Sequence, residues 1–428
     1  MSPTHKPLPL LPLEHTLSTH LSRRTSTSTL RTLTTTTPTQ TDFSSNDFLS
    51  LSLSPLLRTA FITELTSTTL PLGSGGSRLL DGNSTYAEAL ESAIAAFHGA
   101  EAGLLFNSGF DANAGFFACV PQPGDFVVYD ELIHASVHDG MRLSRCAGRF
   151  SFRHNCVQDL EKVLRGCLER SDALRKGESH VIVAVEAVYS MDGDLAPLQS
   201  ILDVVEGVLS DGCGYVVVDE AHSTGVIGPK GRGLVCELGV EKRVFARLHT
   251  FGKAVACNGA IILGSPILRH YLINYARPLI YTTFLSYPAL AAIKASYTLL
   301  QTGQTVHLAQ HLQSMIQTLF NKLNAVTCPA FKTLLKVPTT CPQSPIFSLQ
   351  TPEPKLLAKF LQERDMMVRA VVSPTVPEGT ERVRVCLHAG NTEEDVEKLV
   401  SSLEVWARLR QGKIEGSREG KMVMIARL

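Results

Sequence analysis

The chain reads as an α/β protein: a large domain on a mainly parallel sheet, followed by a smaller α+β domain. Three observations carry this. Runs that are apolar throughout recur at 102–106 ("AGLLF"), 125–130 ("DFVVYD"), 180–188 ("HVIVAVEAV"), 214–222 ("GYVVVDEAH") and 259–264 ("GAIILG"), with helical text between most of them. Strands with no polar side suit a sheet covered on both faces. The pattern changes near residue 300, and a length of 428 residues exceeds one ordinary core.

In chain order, residues 1–41 form an N-terminal arm rich in Ser, Thr, Leu and Pro, with Arg23, Arg24 and Arg31 and, up to residue 40, only Glu14 as an acid. This composition fits either an organelle transit segment or a mobile arm or short helix over a neighbouring site. Residues 42–300 are the large domain. Within it "TYAEALESAIAAFHG" predicts a helix, with Thr85 and Glu88 as a capping box, Leu90, Ala93, Ile94 and Phe97 on one face and Gly99 as the stop. Residues 301–411 are the small domain: a helix over 306–325, "PIFSLQ", a helix near 353–365, "MMVRAVV", "ERVRVCLHA" and a last helix from about 392 to 411. Residues 412–428 read as a tail.

Composition narrows the partners. Lys plus Arg and Asp plus Glu both number 40, a formal net charge of zero, so no global field attracts nucleic acid or a membrane surface. No stretch reaches the roughly 20 uninterrupted apolar residues of a membrane helix. Ten cysteines lie scattered without C-x-x-C pairs or zinc spacing, which fits inert thiols in a reducing compartment. The expected ligand is small.

The chemistry-bearing residues gather at predicted strand ends. "VVVDEAHSTG" delivers Asp219 to the end of a strand with His222 just beyond, and "VIVAVEAVYSMDGDLAPL" ends in Glu186, Ser190 and Asp192. Ligands of open α/β sheets collect at that edge. "PLGSGGSRLLDGN" and "FNSGFDANAGFF" place small residues around turns, and the second opens into a helix, whose N-terminus favours an anion. Neither matches a nucleotide-binding fingerprint. His134 begins a helix after a strand, and His138 follows four residues later with no ligand-spaced acid or Cys, so no metal is expected. "HTFGKAVACNGA" puts Lys253 among small residues after a strand. An acid, a histidine, a phosphate cradle and a lysine together suit pyridoxal 5'-phosphate, which needs an amine, a carboxylate for its pyridine nitrogen and donors for its phosphate.

The order of "SSNDFLSL", "GSGGSR", "LLFNSGFDAN", "HAS", "SMDGDLAPL", "VDEAHSTGVIGPKGRG", "TFGKA", "LIYTTF" and "SPTVPEGTERVRV" resembles the α-oxoamine synthases, pyridoxal-phosphate enzymes of fold type I, over roughly residues 42–405. The resemblance implies a seven-stranded, mainly parallel sheet and a homodimer with a shared site. It implies that Lys253 carries the cofactor and moves the substrate Cα proton, that Asp219 pairs with the pyridine nitrogen and His222 with the ring hydroxyl, and that His134 stacks on the ring. Ser108, Gly109 and Phe110 with Thr250 would hold the phosphate, and Thr282 or Thr283 would reach it from the partner subunit. Glu186 and Ser190 would lie near the ring and Asn46 near the substrate, with Arg384, or else Arg382, taking the amino-acid carboxylate.

The resemblance is strongest to members that condense L-alanine with pimeloyl-CoA in biotin synthesis. Alternatives within the family pair glycine with acetyl-CoA or succinyl-CoA, or serine with a long acyl-CoA; outside its catalytic members stands a non-catalytic subunit. Two departures bear on substrate: Tyr86 stands where many relatives have His, and Val372-Ser373 stands where some biotin enzymes have a basic residue. The closing Ala426-Arg427-Leu428 follows a peroxisomal address pattern, with mitochondrion or cytoplasm as the other locations.

Overall fold

The computed structural model describes residues 11–27, 29–37, 39–209 and 212–425, so the Ala426-Arg427-Leu428 pattern lies outside the described residues. The chain divides into two units, Met1–Gln40 and Thr41–Leu428. The first contains one helix, Pro12–Ser26. Pro12 opens it at a position where no N–H is needed, and the Leu11 N–H donates to Glu14 Oε2 at 2.7 Å. None of its described residues is buried.

The second unit is organised by a seven-stranded sheet. Its strands are β1 (Ala102–Phe106), β2 (Phe126–Asp130), β3 (Gly148–Phe152), β4 (Val181–Glu186), β5 (Gly214–Asp219), β6 (Ala246–Thr250) and β7 (Ala260–Gly264). The order is β1-β7-β6-β5-β4-β2-β3, with only β7 antiparallel to its neighbours. Side chains alternate across each strand. Val181, Val183 and Val185 therefore enter one buried cluster, while Ile182 and Ala184 enter another on the opposite face. Each such side chain contributes roughly 1.5–3 kcal/mol on burial, and this two-sided burial is why the strands read as unbroken apolar runs.

A three-stranded antiparallel sheet of β8 (Ile346–Gln350), β9 (Arg369–Val371) and β10 (Arg382–Cys386) has the order β9-β10-β8. The segment from Thr41 to Phe48 is stitched to this region. Thr41–Asp42 pairs in parallel with Met366–Met367, the Cys386 N–H donates to Phe43 O at 2.8 Å, and the Ala389 N–H donates to Phe48 O at 2.8 Å. One buried cluster runs from Phe43 through Ile94 and Phe251 to Val385 and Trp406, so packing is continuous across the expected boundary at residue 300. The last helix runs Glu393–Ile425, well past the stop expected near 411, and the segment from 412 to 425 is helix rather than tail.

The helix Thr85–His98 needs a second correction. Its cap is Ser84, whose side chain accepts from the Ala87 N–H, not Thr85; Gly99 ends it as expected, at φ 68°. Its buried face includes Glu91 and His98, while Ala93 is exposed and Phe97 half-buried. Apolar periodicity misplaces this face because Glu91 is buried as an ion-pair hub: it meets Arg78, Arg269 Nη2 at 2.8 Å and the Leu105 N–H at 2.7 Å. Removing that carboxylate takes the counter-ion from the buried Arg78 guanidinium and one partner from the part-exposed Arg269. Glu91→Ala is expected to cost about 3–5 kcal/mol, read as a lower urea midpoint against wild type.

Candidate active site

The C-terminal ends of β4, β5 and β6 converge on one cleft. Glu186 and Asp219 close β4 and β5 in register with each other, and parallel strands in register present both carboxyl groups to the same side. Asp219 accepts from Asn113 Nδ2 at 2.8 Å and from the Ala221 N–H at 2.9 Å. Burial pushes the Glu186 carboxyl well above its ordinary range, and the neighbouring Asp219 adds to the push.

Lys253 follows the end of β6 in a tight turn closed by a bond from the Ala256 N–H to Lys253 O at 2.9 Å. Ala256 sits at φ 53°, a left-handed conformation that costs a non-glycine residue of order 1 kcal/mol. Burial holds the Lys253 amine below its ordinary value and Arg384 adds to this, while Asp219 and Glu186 oppose it. The lysine is therefore poised toward its neutral form.

His222 is buried, with its Nδ1 unpartnered and its ring 6.0 Å from that of Phe48. Burial, then Lys253 and Arg384, hold it well below the usual histidine range. His134 caps the helix Ala135–Leu143: its Nδ1 accepts from the Ser136 N–H at 3.2 Å and lies 2.7 Å from Ser136 Oγ. Burial lowers its pKa, against Asp219 and with Lys253.

The helix Gly109–Cys119 starts beside the strand ends, capped by Ser108, whose Oγ accepts from the Asp111 N–H at 3.0 Å. A Cβ on Gly109 would lie 3.3 Å from the Thr250 side chain, so the small residue keeps this helix start open to Thr250. Phe110 is exposed. Thr282 and Thr283 stand beside Asn107, whose Nδ2 donates to Thr283 O at 2.6 Å and to Thr282 Oγ1 at 3.4 Å. Within one chain these threonines already adjoin the residue preceding the Ser108 cap.

The two arginines of β10 have different surroundings. Arg382, 2% exposed, is paired with Asp192 and donates from Nε to Thr380 O at 2.8 Å. Arg384 donates from Nε to Ser190 O at 2.6 Å and from Nη2 to Asn46 Oδ1 at 2.9 Å, both neutral acceptors. Its charge is not cancelled by these contacts. Gly193, at φ 78°, lets the Asp192–Asp194 turn press on β8, since a Cβ there would meet Ile346 O at 2.3 Å.

The profile of the aminotransferase class I and II family matches residues 38–403. The chain belongs to that family. An 8-amino-7-oxononanoate synthase from Emericella nidulans is 52% identical over 370 residues, 85% of this chain and 89% of the relative. An aminoacyl transferase, sphA, from Aspergillus fumigatus is 39% identical over 394 residues, 89% of this chain and 84% of the relative. Among solved structures, Sphingomonas wittichii serine palmitoyltransferase superposes with a TM-score of 0.79 at 26% identity, covering 94% of this chain and 99% of that one. Francisella tularensis 8-amino-7-oxononanoate synthase gives 0.68 at 25% identity, covering 87% and 99%.

This family member is an α-oxoamine synthase, a pyridoxal-phosphate-dependent acyltransferase. The residues present fit that cofactor: a buried carboxylate at a strand end, an amine poised toward neutrality, an unpartnered buried imidazole nitrogen and an open helix start. Among the described residues no group of three or more His, Cys, Asp or Glu side chains is placed to hold a metal ion. Sequence reasoning missed Asn113 and Ser136, which join Asp219 to His134. A signal existed for Asn113: a polar amide inside a helix of small and apolar residues is disfavoured unless a tertiary partner takes it.

His154 pins the strand-end loops from outside the cleft, bonding Asp130 at 2.9 Å and Asp194 at 2.7 Å. Burial works against its charge, but the two carboxylates outweigh it and raise its pKa to about 10. A raised folded-state pKa contributes stability that is complete below the unfolded value, 6.5, and lost as pH rises to about 10. The stability difference between wild type and His154→Gln in urea unfolding is expected to shrink across that window; a difference constant with pH would show that the ring only packs.

Proposed function

We propose that the chain condenses L-alanine with pimeloyl-CoA to give 8-amino-7-oxononanoate, CoA and carbon dioxide, a step of biotin synthesis. The observation that carries the choice of substrates is the 52% identity, over most of both chains, to a relative named for that product. The cleft supports the reaction class. Bound pyridoxal phosphate supplies the electron sink that makes the Cα proton acidic and the later decarboxylation feasible.

The chain's own residues do the rest. Lys253 would hold the cofactor through its amine and would serve as the base for the Cα proton, for which its lowered pKa suits it. Asp219 would keep the pyridine nitrogen protonated, and His222, whose buried Nδ1 has no partner, would pair with the ring hydroxyl. The first-turn N–H groups of Gly109 and Phe110, with Ser108 and Thr250, would hold the phosphate. Arg384 binds the alanine carboxylate with Asn46 beside it, because its contacts leave its charge free, whereas Arg382 is committed to Asp192. A bond then forms between alanine Cα and the acyl carbonyl carbon as the thioester C–S bond breaks. CoA leaves as the thiolate and takes up the proton removed from Cα, the carboxyl group leaves as carbon dioxide, and the electron pair returned to Cα takes a proton from solvent to give the amino ketone. We place the site in a homodimer, a reading supported by exposed Leu72, Leu80 and Tyr281 at 69%, 77% and 72%.

A second reading keeps the chemistry and changes the pair, to serine or glycine with another acyl-CoA. The 39% relative named an aminoacyl transferase favours it, as does the lack of a cation at Val372 and Ser373 for a distal carboxylate.

Arg384→Ala is expected to raise KM for the amino acid about tenfold or more with little change in melting temperature, since a charge-assisted hydrogen bond contributes about 1.5–3 kcal/mol. Arg382→Ala is expected to lower the melting temperature instead, by stranding Asp192; the reverse pattern would exchange their roles. The substrate assignment is tested by CoA thiol release from purified, cofactor-loaded protein with L-alanine, glycine and L-serine against pimeloyl-, acetyl-, succinyl- and palmitoyl-CoA. Preferred turnover of L-alanine with pimeloyl-CoA, abolished in Lys253→Ala, is the expected result. Preference for a different pair would overturn it in favour of the second reading.

A further inference from the structure

Asn113 is nearly fully buried, at 4% exposure, on the helix Gly109–Cys119. Its Nδ2 reaches two groups, Asp219 Oδ2 at 2.8 Å and Ser136 Oγ at 3.1 Å. Ser136, also buried, lies 2.7 Å from His134 Nδ1 through its hydroxyl and donates its N–H to the same nitrogen at 3.2 Å.

The direction of every bond in this chain is fixed by its ends. An ionised Asp219 only accepts, so the amide presents its NH2 group to it, and the second N–H of that group meets Ser136 Oγ. With a donor arriving, the serine hydroxyl turns its own proton toward His134 Nδ1. The Ser136 backbone N–H points at the same atom, which makes Nδ1 an acceptor and puts the ring proton of neutral His134 on Nε2.

We propose that Asn113 is a positioning residue that sets Asp219 and His134 together, donating to the carboxylate and, through Ser136, fixing His134 as the neutral Nε2–H tautomer. The inference rests on the reading above that these two residues face the cofactor. It means that the group under the pyridine nitrogen and the group on the ring face are oriented by one side chain. Charging His134 at Nδ1 would break both donor contacts from Ser136, so the chain also resists protonation of the ring. The other charged and titratable groups around His134 are Asp219 from β5, Lys253 from the turn after β6, Glu186 from β4, His138 on its own helix and His222.

The test uses full-length Asn113→Ala, Ser136→Ala and Ser136→Thr, with Asp219→Asn and Lys253→Ala as controls. Ring-nitrogen NMR of 15N-histidine-labelled protein before cofactor loading reads the His134 tautomer, with His134→Gln assigning the signal. Melting temperature reports folding, and spectroscopic titration reports cofactor affinity. In Asn113→Ala and Ser136→Ala, where the Ser136 N–H alone is left to direct Nδ1, His134 is expected to populate the Nε2–H tautomer measurably less than in wild type, and Asn113→Ala is expected to bind the cofactor about 10- to 100-fold more weakly. Ser136→Thr, which retains the hydroxyl, is expected to restore the wild-type signal. If Asn113→Ala does not fold, the Ser136 pair decides alone.

A wild-type tautomer in both alanine variants would overturn the proposal, as would equal loss in Ser136→Ala and Ser136→Thr. Unchanged cofactor binding in Asp219→Asn and Lys253→Ala would instead overturn the underlying assignment of the site, while leaving the tautomer result to stand by itself.

Discussion

Two carboxyl groups held in register on adjacent parallel strands, with an amine facing them in a largely dry cleft, form the constraint on which the site depends. Three full charges in such a place would be costly to desolvate. The pKa shifts of two of these groups run in the direction that lowers that cost. Glu186 is pushed toward its neutral acid and Lys253 toward its neutral amine. Asp219 is provided with donors from Asn113 and the Ala221 backbone. In the proposed reading, a hydrogen-bonded Asp219 and a Lys253 amine of lowered pKa divide the labour that a cofactor with a cationic ring nitrogen requires.

The surroundings of Arg384, proposed to take the amino-acid carboxylate, are built from elements remote in sequence. β10 brings Arg384, the turn after β4 brings Ser190, and the segment stitched onto β10 brings Asn46. Arg382 and Arg384 lie two residues apart, on the same side of the strand, yet only the first has a carboxylate to meet. The Asp192–Asp194 turn makes this difference. It is pressed onto β8 through Gly193 and held from behind by His154, so Asp192 reaches Arg382 and the Ser190 carbonyl is left to orient Arg384.

The parts of this arrangement visible in the sequence are those with a local signature. β4 and β5 are legible because both faces are buried, and Asp219, Glu186 and Lys253 because each follows such a run or small residues after a strand. β3 was not legible: as an edge strand, "GRFSF" alternates between exposed and half-buried positions and carries Arg149. The face of the helix Thr85–His98 was misread because Glu91 and His98 are buried by ion pairing and hydrogen bonding, which hydrophobic periodicity does not register. Asn113 was missed for the same kind of reason. Its partner Asp219 is 106 residues away, and only the fold brings them together.

The chemistry and the acyl specificity consequently rest on different kinds of residue. In the proposed reading, proton transfer and carboxylate binding use charged groups at or just beyond strand ends, and the same set would serve any acyl thioester. Choice of acyl chain has no such charge at Val372 and Ser373. A pimeloyl chain carries a terminal carboxylate whose burial without a cation would cost several kcal/mol. If pimeloyl-CoA is the acyl donor, its carboxylate must either stay hydrated or meet a cation other than at Val372-Ser373. Discrimination against long apolar chains then comes from limiting the depth they can reach, and each methylene denied burial is worth about 0.8 kcal/mol. Deepening such a cleft by a few side-chain truncations would shift preference toward longer acyl chains without disturbing Asp219, Lys253 or Arg384, which is how one catalytic core can serve relatives with different acyl donors.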